Sequence, residues 1–578
     1  MSDLAALERL KGRYGAEAAA RKLQRLRKLD RQRLRSARAV RRLHELLCFL
    51  RAFPDDAAVA AQVERMIGRF GRRADLRAFR AELAHTGIAG TTIWFPFFWP
   101  TARWLAGQWP SLLRFDRNDT LAGDSLAKAL PLLCSPLEAA ALRERRLGGF
   151  AAIDRLRGRQ TDAAFVIARI AALPGNDATR EAIYDAINPS CELLPGRRGS
   201  NTPSRTHDRL PAAPRAYRRT PPVRERADLR AALKRAPQSI RRLSPRAGAV
   251  VLDLARRVLV PRQRDLEAFS LGNPRDVWLV DDGGGLAFAL IGVLPARRPP
   301  VAAIYGTLYL QNGVPIGYGQ SDHVGVACAL SFNLFDTFRG GEASRVLARL
   351  LAALHAVFGA ASFSVEPYQI GQGNDEGITS GAWWFWFKHG FRPRAAAARE
   401  LARVEQRRSA RSLQYRSSEA ALRRLAQWHL FFECNPAGPT PLPPLADLGL
   451  RVAALLAKTH VDRDAAIDAS VREAQRRCGL ASTSSLSATQ HAAWRHWGPL
   501  LMLLPRLARW PAADKRALLK VIAMKAAASE REYVLRLAAH VRLRRELLGD
   551  AGARFPPQAG MRGGTTWLIP PDGSDGQR

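Results

Sequence analysis

Lysine is scarce in this chain: 10 residues of 578, against 80 arginines. The net charge of +38 is therefore almost wholly guanidinium. Tracts that serve nucleic acid usually mix the two residues. An arginine excess spread over the whole chain fits a general compositional bias as well as it fits a polyanion partner. Cysteine is sparse too. Cys48, Cys134, Cys191, Cys328, Cys434 and Cys478 lie far apart and form no CxxC. That spacing excludes a disulfide framework and a thiolate metal motif, and leaves buried free thiols in a reducing compartment. His491 and His496 are five residues apart, on different sides of a helix. No metal site is expected.

Long apolar runs are also missing. No stretch of 18 apolar residues exists, so no spanning helix is expected. The nearest candidate, residues 91–110, is interrupted by Pro96, Pro100 and Arg103. Trp94, Trp99, Trp104 and Trp109 recur there every five residues, which does not keep one helical face. An aromatic core or inter-domain contact is the first reading, with a membrane-surface patch or a ligand-stacking surface as alternatives. The opening residues MSDLAALERLKGRYG lack the apolar core of a signal peptide, so a cytoplasmic location is expected. No internal repeat is evident.

What is present divides the chain. Residues 1–190 form a basic helical region that includes the aromatic segment 91–110. Between Arg21 and Arg42 a single acid, Asp30, stands among eleven Lys/Arg, with Leu23, Leu26, Leu34, Val40, Leu43 and Leu47 at near-helical spacing. This describes a basic amphipathic helix, and weak nucleic-acid or anionic-surface binding is expected of residues 21–42. Residues 191–225 are rich in Pro, Ser, Gly and Arg without periodicity and read as a flexible linker. Residues 226–417 begin with a helical lead-in and turn to strands near 276. Residues 418–549 are helical, and 550–578 are an irregular tail.

The strand-rich stretch differs in composition. Between Gly306 and Gly390 fall 13 of the 44 glycines, and residues 301–390 carry four Lys/Arg against six Asp/Glu. Glycine weakens regular structure unless a special backbone angle or a close approach requires it, so this island is the place to look for a ligand. Apolar runs at 277–280, 286–294, 301–310, 314–319 and 324–334 read as strands, and Asn312-Gly313 between two of them is a two-residue hairpin signal. A helix over 344–359, a strand at 362–366 and an aromatic segment, Ala382–Phe391, follow. Residues 411–416 read as one more strand. The loop Gly371–Gly377 has no lysine, which excludes a P-loop.

This order, antiparallel hairpin, strand, helix, strand, aromatic helix and Gly-Phe, resembles the GNAT superfamily of N-acetyltransferases over about residues 265–416. Two motifs carry the resemblance. Phe338-Arg339-Gly340-Gly341-Glu342-Ala343-Ser344 resembles the glycine-bearing turn whose backbone N–H groups hold the pyrophosphate of coenzyme A at a helix N-terminus. Ala382–Phe391 resembles the segment in which a helix ends with Tyr-x-x-x-Gly-Phe, with Trp386 at the tyrosine position. In many relatives that tyrosine protonates the departing thiolate.

The resemblance implies an α+β fold, a GNAT-like mixed sheet with helices, flanked by mainly α-helical N- and C-terminal regions. It implies acetyl-CoA or another acyl-CoA as co-substrate, without a metal, and an amine acceptor, small molecule or protein. Leu334, Phe335, Arg339, Gly340, Gly341, Ala343 and Trp386 are the expected coenzyme contacts. Glu366, at a strand end, is the leading base, and Tyr368 the candidate acid. Asp322, His323, Asp375 and Glu376 are further titratable candidates nearby. A non-catalytic protein of the same fold, with basic helices on nucleic acid or an acidic partner, is the alternative.

Overall fold

The computed structural model describes residues 2–196, 202–204, 209–210, 215–221, 225–339, 342–412, 414–435, 445–459, 462–480 and 486–548. Gly340, Gly341 and the tail 550–578 lie outside the described residues. The chain forms two compact units. The first comprises Met1–Pro222, Val250–Leu271 and Leu310–Ile316, the second Val223–Ala249, Gly272–Tyr309 and Gly317–Arg578. Helices and mixed sheets are both present, an α+β class.

In the first unit, the single basic helix expected over 21–42 is two helices, Ala16–Arg31 and Ala37–Ala52. The break has a tertiary cause. The Leu34 N–H donates to Asp75 (2.9 Å), and Arg73 donates to the carbonyls of Leu29 (3.2 Å) and Gln32 (2.8 Å). Ser36 then caps the second helix by accepting from the Ala39 N–H. Of the expected apolar stripe, Leu26, Val40, Leu43 and Leu47 are buried and Leu23 and Leu34 half-buried; Leu29, outside that stripe, is buried too. Lys22 is buried as well, bonded to both oxygens of Asp55 at 2.9 Å.

The aromatic segment folds as a short strand β1 (Ile93–Phe95) and a helix, Trp99–Gln108. β1 pairs with β3 (Cys191–Leu193), which also pairs β2 (Leu113–Phe115). Trp99 and Trp109 are buried in one core with Ile153, Val166 and Tyr184, and Trp104 packs on its edge. The core reading therefore holds for Trp99, Trp104 and Trp109, whereas Trp94 is half-buried and donates its indole N–H to Asp116 (2.9 Å). β3 occupies the first residues of the segment read as a linker, because its neighbours Leu113 and Ile93 offer it a ladder on both sides.

The larger sheet, in the second unit apart from Leu310–Ile316, consists of the strands β4 (Ser239–Arg242), β5 (Gly272–Gly283), β6 (Leu286–Val293), β7 (Ala303–Gln311), β8 (Val314–Val324), β9 (Ala327–Leu330), β10 (Asn333–Leu334), β11 (Ser362–Val365), β12 (Arg392–Pro393) and β13 (Leu430–Glu433). Their order is β12-β13-β11-β9-β8-β7-β6-β5-β4, with β10 turning back onto β8. Asn312 (φ 53°) and Gly313 (φ 75°) form the expected tight hairpin between β7 and β8.

Two strand expectations need correction. The run 324–334 is not one strand. It ends β8, makes β9 and then folds back as β10, which lies close over Gly317 and Gly319. A Cβ on Gly319 would sit 2.3 Å from the Ser331 carbonyl and 2.2 Å from the Tyr309 hydroxyl. The strand expected at 411–416 is absent among the described residues, since Arg411 ends the helix Ala396–Arg411. The strand that completes the sheet is β13, in a stretch read as wholly helical.

β9 and β11 run parallel and are joined by the helix Ala343–Phe358. Leu347, Leu350, Leu351, Leu354 and Phe358 of that helix are buried. Two later helices, Ala512–Lys525 and Arg531–Ala539, are held to the sheet by a buried charged network. Arg298 lies 3.9 Å from Asp276 and 3.4 Å from Glu530, and donates to the carbonyls of Lys525 (2.9 Å) and Ala527 (2.6 Å). Asp276 accepts from the Tyr305 hydroxyl (2.9 Å) and the Glu530 N–H (3.0 Å), and Lys525 pairs with Glu530. No helix among the described residues is long and apolar enough to cross a membrane.

Candidate functional site

Strand register sorts the titratable residues of the second unit onto two faces. His323, Cys328, Phe363 and Phe432 are paired in one row across β8, β9, β11 and β13. The adjacent row is Asp322, Ala329, Ser364 and Phe431. Successive residues of a strand point to opposite faces, so the two rows face opposite ways. The first faces the helix Ala343–Phe358: the His323 ring lies 4.2 Å from that of Phe358. Burial pushes the His323 imidazole down to about 3, so it is a neutral core group and no base.

The second row carries the chemistry. Glu366 follows Ser364 by two residues in extended backbone (φ −74°, ψ 154°), which keeps it on the same face. Asp322 and Glu366 are both only part-exposed and closely surrounded by protein. Burial raises Asp322 to about 6, against the bond it accepts from Gln320. Glu366 is raised to about 7, first by burial and then by the charge of Asp322. Asp322 thus ionises first, and its charge holds the proton on Glu366. On the same face, the Ser364 hydroxyl is buried without a hydrogen-bond partner. A buried hydroxyl left unpaired is costly, and a ligand atom at this face would satisfy it. Ser364 escaped the sequence reading, where SFSVE signals only alternation.

The other expected residues are placed as follows. Tyr368 is half-buried on the short 3-10 turn Pro367–Ile370, directly after Glu366. Leu334 is buried in β10. The Phe335 ring lies 5.7 Å from that of Tyr318, which shares the face of Asp322. Arg339 is spent on the turn itself: it donates to the Leu334 carbonyl and pairs with Asp336 (3.0 Å) and Glu376 (2.9 Å). Gly340 and Gly341 lie outside the described residues. Glu342 is buried and paired with Arg345 (3.1 Å), and Ala343 begins the helix.

Trp386 is 3% exposed and packs on Phe391 and Phe332. Phe391 in turn meets Phe432, so Trp386 belongs with the helix-side face, away from the carboxylates. Asp375 and Glu376 form surface ion pairs with Arg423 and Arg339 and are not drawn into the cluster.

Among the described residues no group of three His, Cys, Asp or Glu is placed to hold a metal ion. The cysteines are unbridged; Cys134 and Cys434 are half-buried and the other four buried. No protein-family model, no curated protein and no solved structure matches the chain.

Proposed function

We propose that the second unit is an acyl-CoA-dependent N-acyltransferase with Glu366 as its base. The observation that carries the reading is the cluster of Asp322, Ser364 and Glu366 on one sheet face. A carboxylate whose protonation midpoint lies near 7 is suited to take a proton at neutral pH. The parallel strands joined through a glycine turn and a helix support the same reading, since that order is what the resemblance implies. The amine nitrogen attacks the thioester carbonyl, its proton passes to Glu366, and the C–S bond breaks. Tyr368 is the donor to the departing thiolate. Leu334, Phe335, Arg339, Gly340, Gly341 and Ala343 remain the proposed coenzyme contacts; Trp386, buried on the helix-side face away from the carboxylates, is not kept among them. Location in the cytoplasm belongs to the same proposal.

Calorimetric titration with acetyl-coenzyme A, followed by thiol release over a panel of amines, tests it. Saturable binding and amine-dependent thiol release are expected, with release reduced in Tyr368→Phe. Undiminished release in that variant would refute Tyr368 as the acid. Absence of coenzyme binding would refute the acyltransferase reading.

One observation favours a second reading, a non-catalytic scaffold that binds nucleic acid. On the helices Ala16–Arg31 and Ala37–Ala52 and the turn between them, Arg27, Arg31, Arg33, Arg35, Arg38 and Arg41 are exposed. None of the six has an acidic partner among the described residues. Phosphates would supply that charge. Binding of single-stranded RNA is then expected to weaken about 300-fold between 50 and 200 mM salt if all six engage phosphates. Salt-independent affinity, or unchanged affinity in the Arg33→Glu, Arg35→Glu, Arg38→Glu variant, would remove this reading.

A further inference from the structure

The second unit contains a recess of about 1410 Å³ bounded by residues 226–230, the helix Ala382–Lys388, β12 and residues 415–417. Its charge is one-sided. Arg226, Arg230, Lys388, Arg392 and Arg416 line it, and the one carboxylate among its described lining residues is Asp228. Asp228 is committed elsewhere, accepting the N–H groups of Arg230 and Ala231 as a helix cap.

Arg392 and Arg230 are held by carbonyls and rings, with no carboxylate paired to either among the described residues. Arg392 donates to the carbonyls of Phe387 (2.6 Å) and Phe391 (2.8 Å) and lies 4.0 Å over the Phe387 ring. Arg230 donates to the Cys434 carbonyl (2.8 Å) and lies over Phe432. Arg226 and Lys388 are exposed, with no partner among the described residues. The positive charges also oppose one another: Arg226 depresses the proton affinity of Arg392 and of His389, adding to the larger effect of burial. His389 adds no charge of its own. Its Nδ1–H donates to the Phe385 carbonyl (2.7 Å), and its Nε2 accepts from the Ser344 hydroxyl (2.8 Å). A bound polyanion would offset this repulsion.

Aromatic surface lies beside the charge. Trp384 and Tyr415 line the recess with their polar tips already tied, the indole to Ser417 (3.1 Å) and the phenol to Glu405 (3.0 Å). The Trp384 ring is fixed further by near-perpendicular packing on Trp383 (4.8 Å) and Phe387 (5.4 Å). Phe432 at the wall shares its row with His323 and Phe363, so the recess lies on the face opposite Asp322, Ser364 and Glu366.

We propose that this recess is a binding site for a phosphorylated nucleotide. Its phosphates are held by Arg226, Arg230, Lys388 and Arg392, and its base stacks on Trp384 or Tyr415. The proposal does not rest on acyl transfer: thiol release can fail while the nucleotide binds, and the reverse. Free nucleotides and the nucleotide half of coenzyme A share this chemistry.

Titration of the full chain with ATP, inorganic tripolyphosphate and adenosine tests the site. ATP is expected to bind at least tenfold more tightly than either of the others. The Arg226→Glu, Lys388→Glu variant is expected to weaken ATP at least 30-fold without lowering the melting temperature of the free protein, because neither side chain has a folded-state partner to lose and the repulsion on Arg392 is relieved. Trp384→Ala is expected to weaken ATP about tenfold and tripolyphosphate not at all. Displacement of ATP by acetyl-coenzyme A identifies coenzyme as the source of the nucleotide, and simultaneous binding identifies a free nucleotide. ATP affinity within twofold of wild type in the charge-reversed variant overturns the site. Tripolyphosphate binding as tightly as ATP overturns the nucleotide assignment.

Discussion

Replacing Glu366 by glutamine is expected to cut amine-dependent thiol release by about 10²- to 10⁴-fold. Glutamine keeps the size and one carbonyl but cannot take a proton. The wild-type rate should rise with pH through about 7, where Glu366 loses its proton, and this limb should vanish in the variant. Asp322→Asn should move the limb to lower pH, because a charge that holds the proton on Glu366 is gone. Burial, the larger cause, remains, so Glu366 should still titrate above its ordinary 4.5.

The same carboxylate gives a readout independent of activity. Its folded-state midpoint is raised, so the protonated form is favoured by the fold. The stabilisation is complete below pH 4.5 and is lost as pH rises through about 7. The loss is at most roughly 1.4 kcal/mol for each pH unit between the two midpoints. Glu366→Gln should therefore melt with wild type at pH 4 and above it at pH 8. Identical melting at both pH values would show that Glu366 is not buried as described.

The second large effect is on stability. Arg298→Leu is expected to destabilise the second unit by about 3–5 kcal/mol, because it leaves Asp276 buried without a cation and Glu530 with Lys525 alone. Arg298, Asp276 and Glu530 are each at most 2% exposed in their side chains, so water does not screen the loss. The exposed pair Arg403–Glu400 provides the contrast. Arg403→Leu should cost less than about 1 kcal/mol. Chemical denaturation of both variants checks the difference, and equal midpoints would show that the buried network contributes little.

Legibility in the sequence followed the range of the forces involved. The Asn312-Gly313 hairpin was readable because both residues tolerate positive φ and are neighbours. The helix Ala343–Phe358 was readable from its apolar spacing, and Glu366 from its place at a strand end. The common face of Asp322, Ser364 and Glu366 was not, because it depends on the register of β8, β9 and β11, which no local pattern specifies. The break near Leu34 was hidden for a similar reason: Asp75 and Arg73, some 40 positions on, end the helix. β13 was missed because four residues, LFFE, within Arg- and Ala-rich sequence give too short a signal to separate a strand from a buried helical turn.

The position of β13 between β11 and β12 also sets an order of events at the ribosome. β12 pairs with β13 alone, so it has nowhere to add until β13 has arrived. From Ser362 to Glu433 the chain must grow by 71 residues, roughly 4 to 14 s of synthesis. During that interval β11 presents an open edge, with Phe363 and Val365 beside unpaired backbone groups, the kind of edge that recruits other chains. Nascent chains stalled before residue 430 should accordingly depend on chaperones more than those stalled well beyond 433.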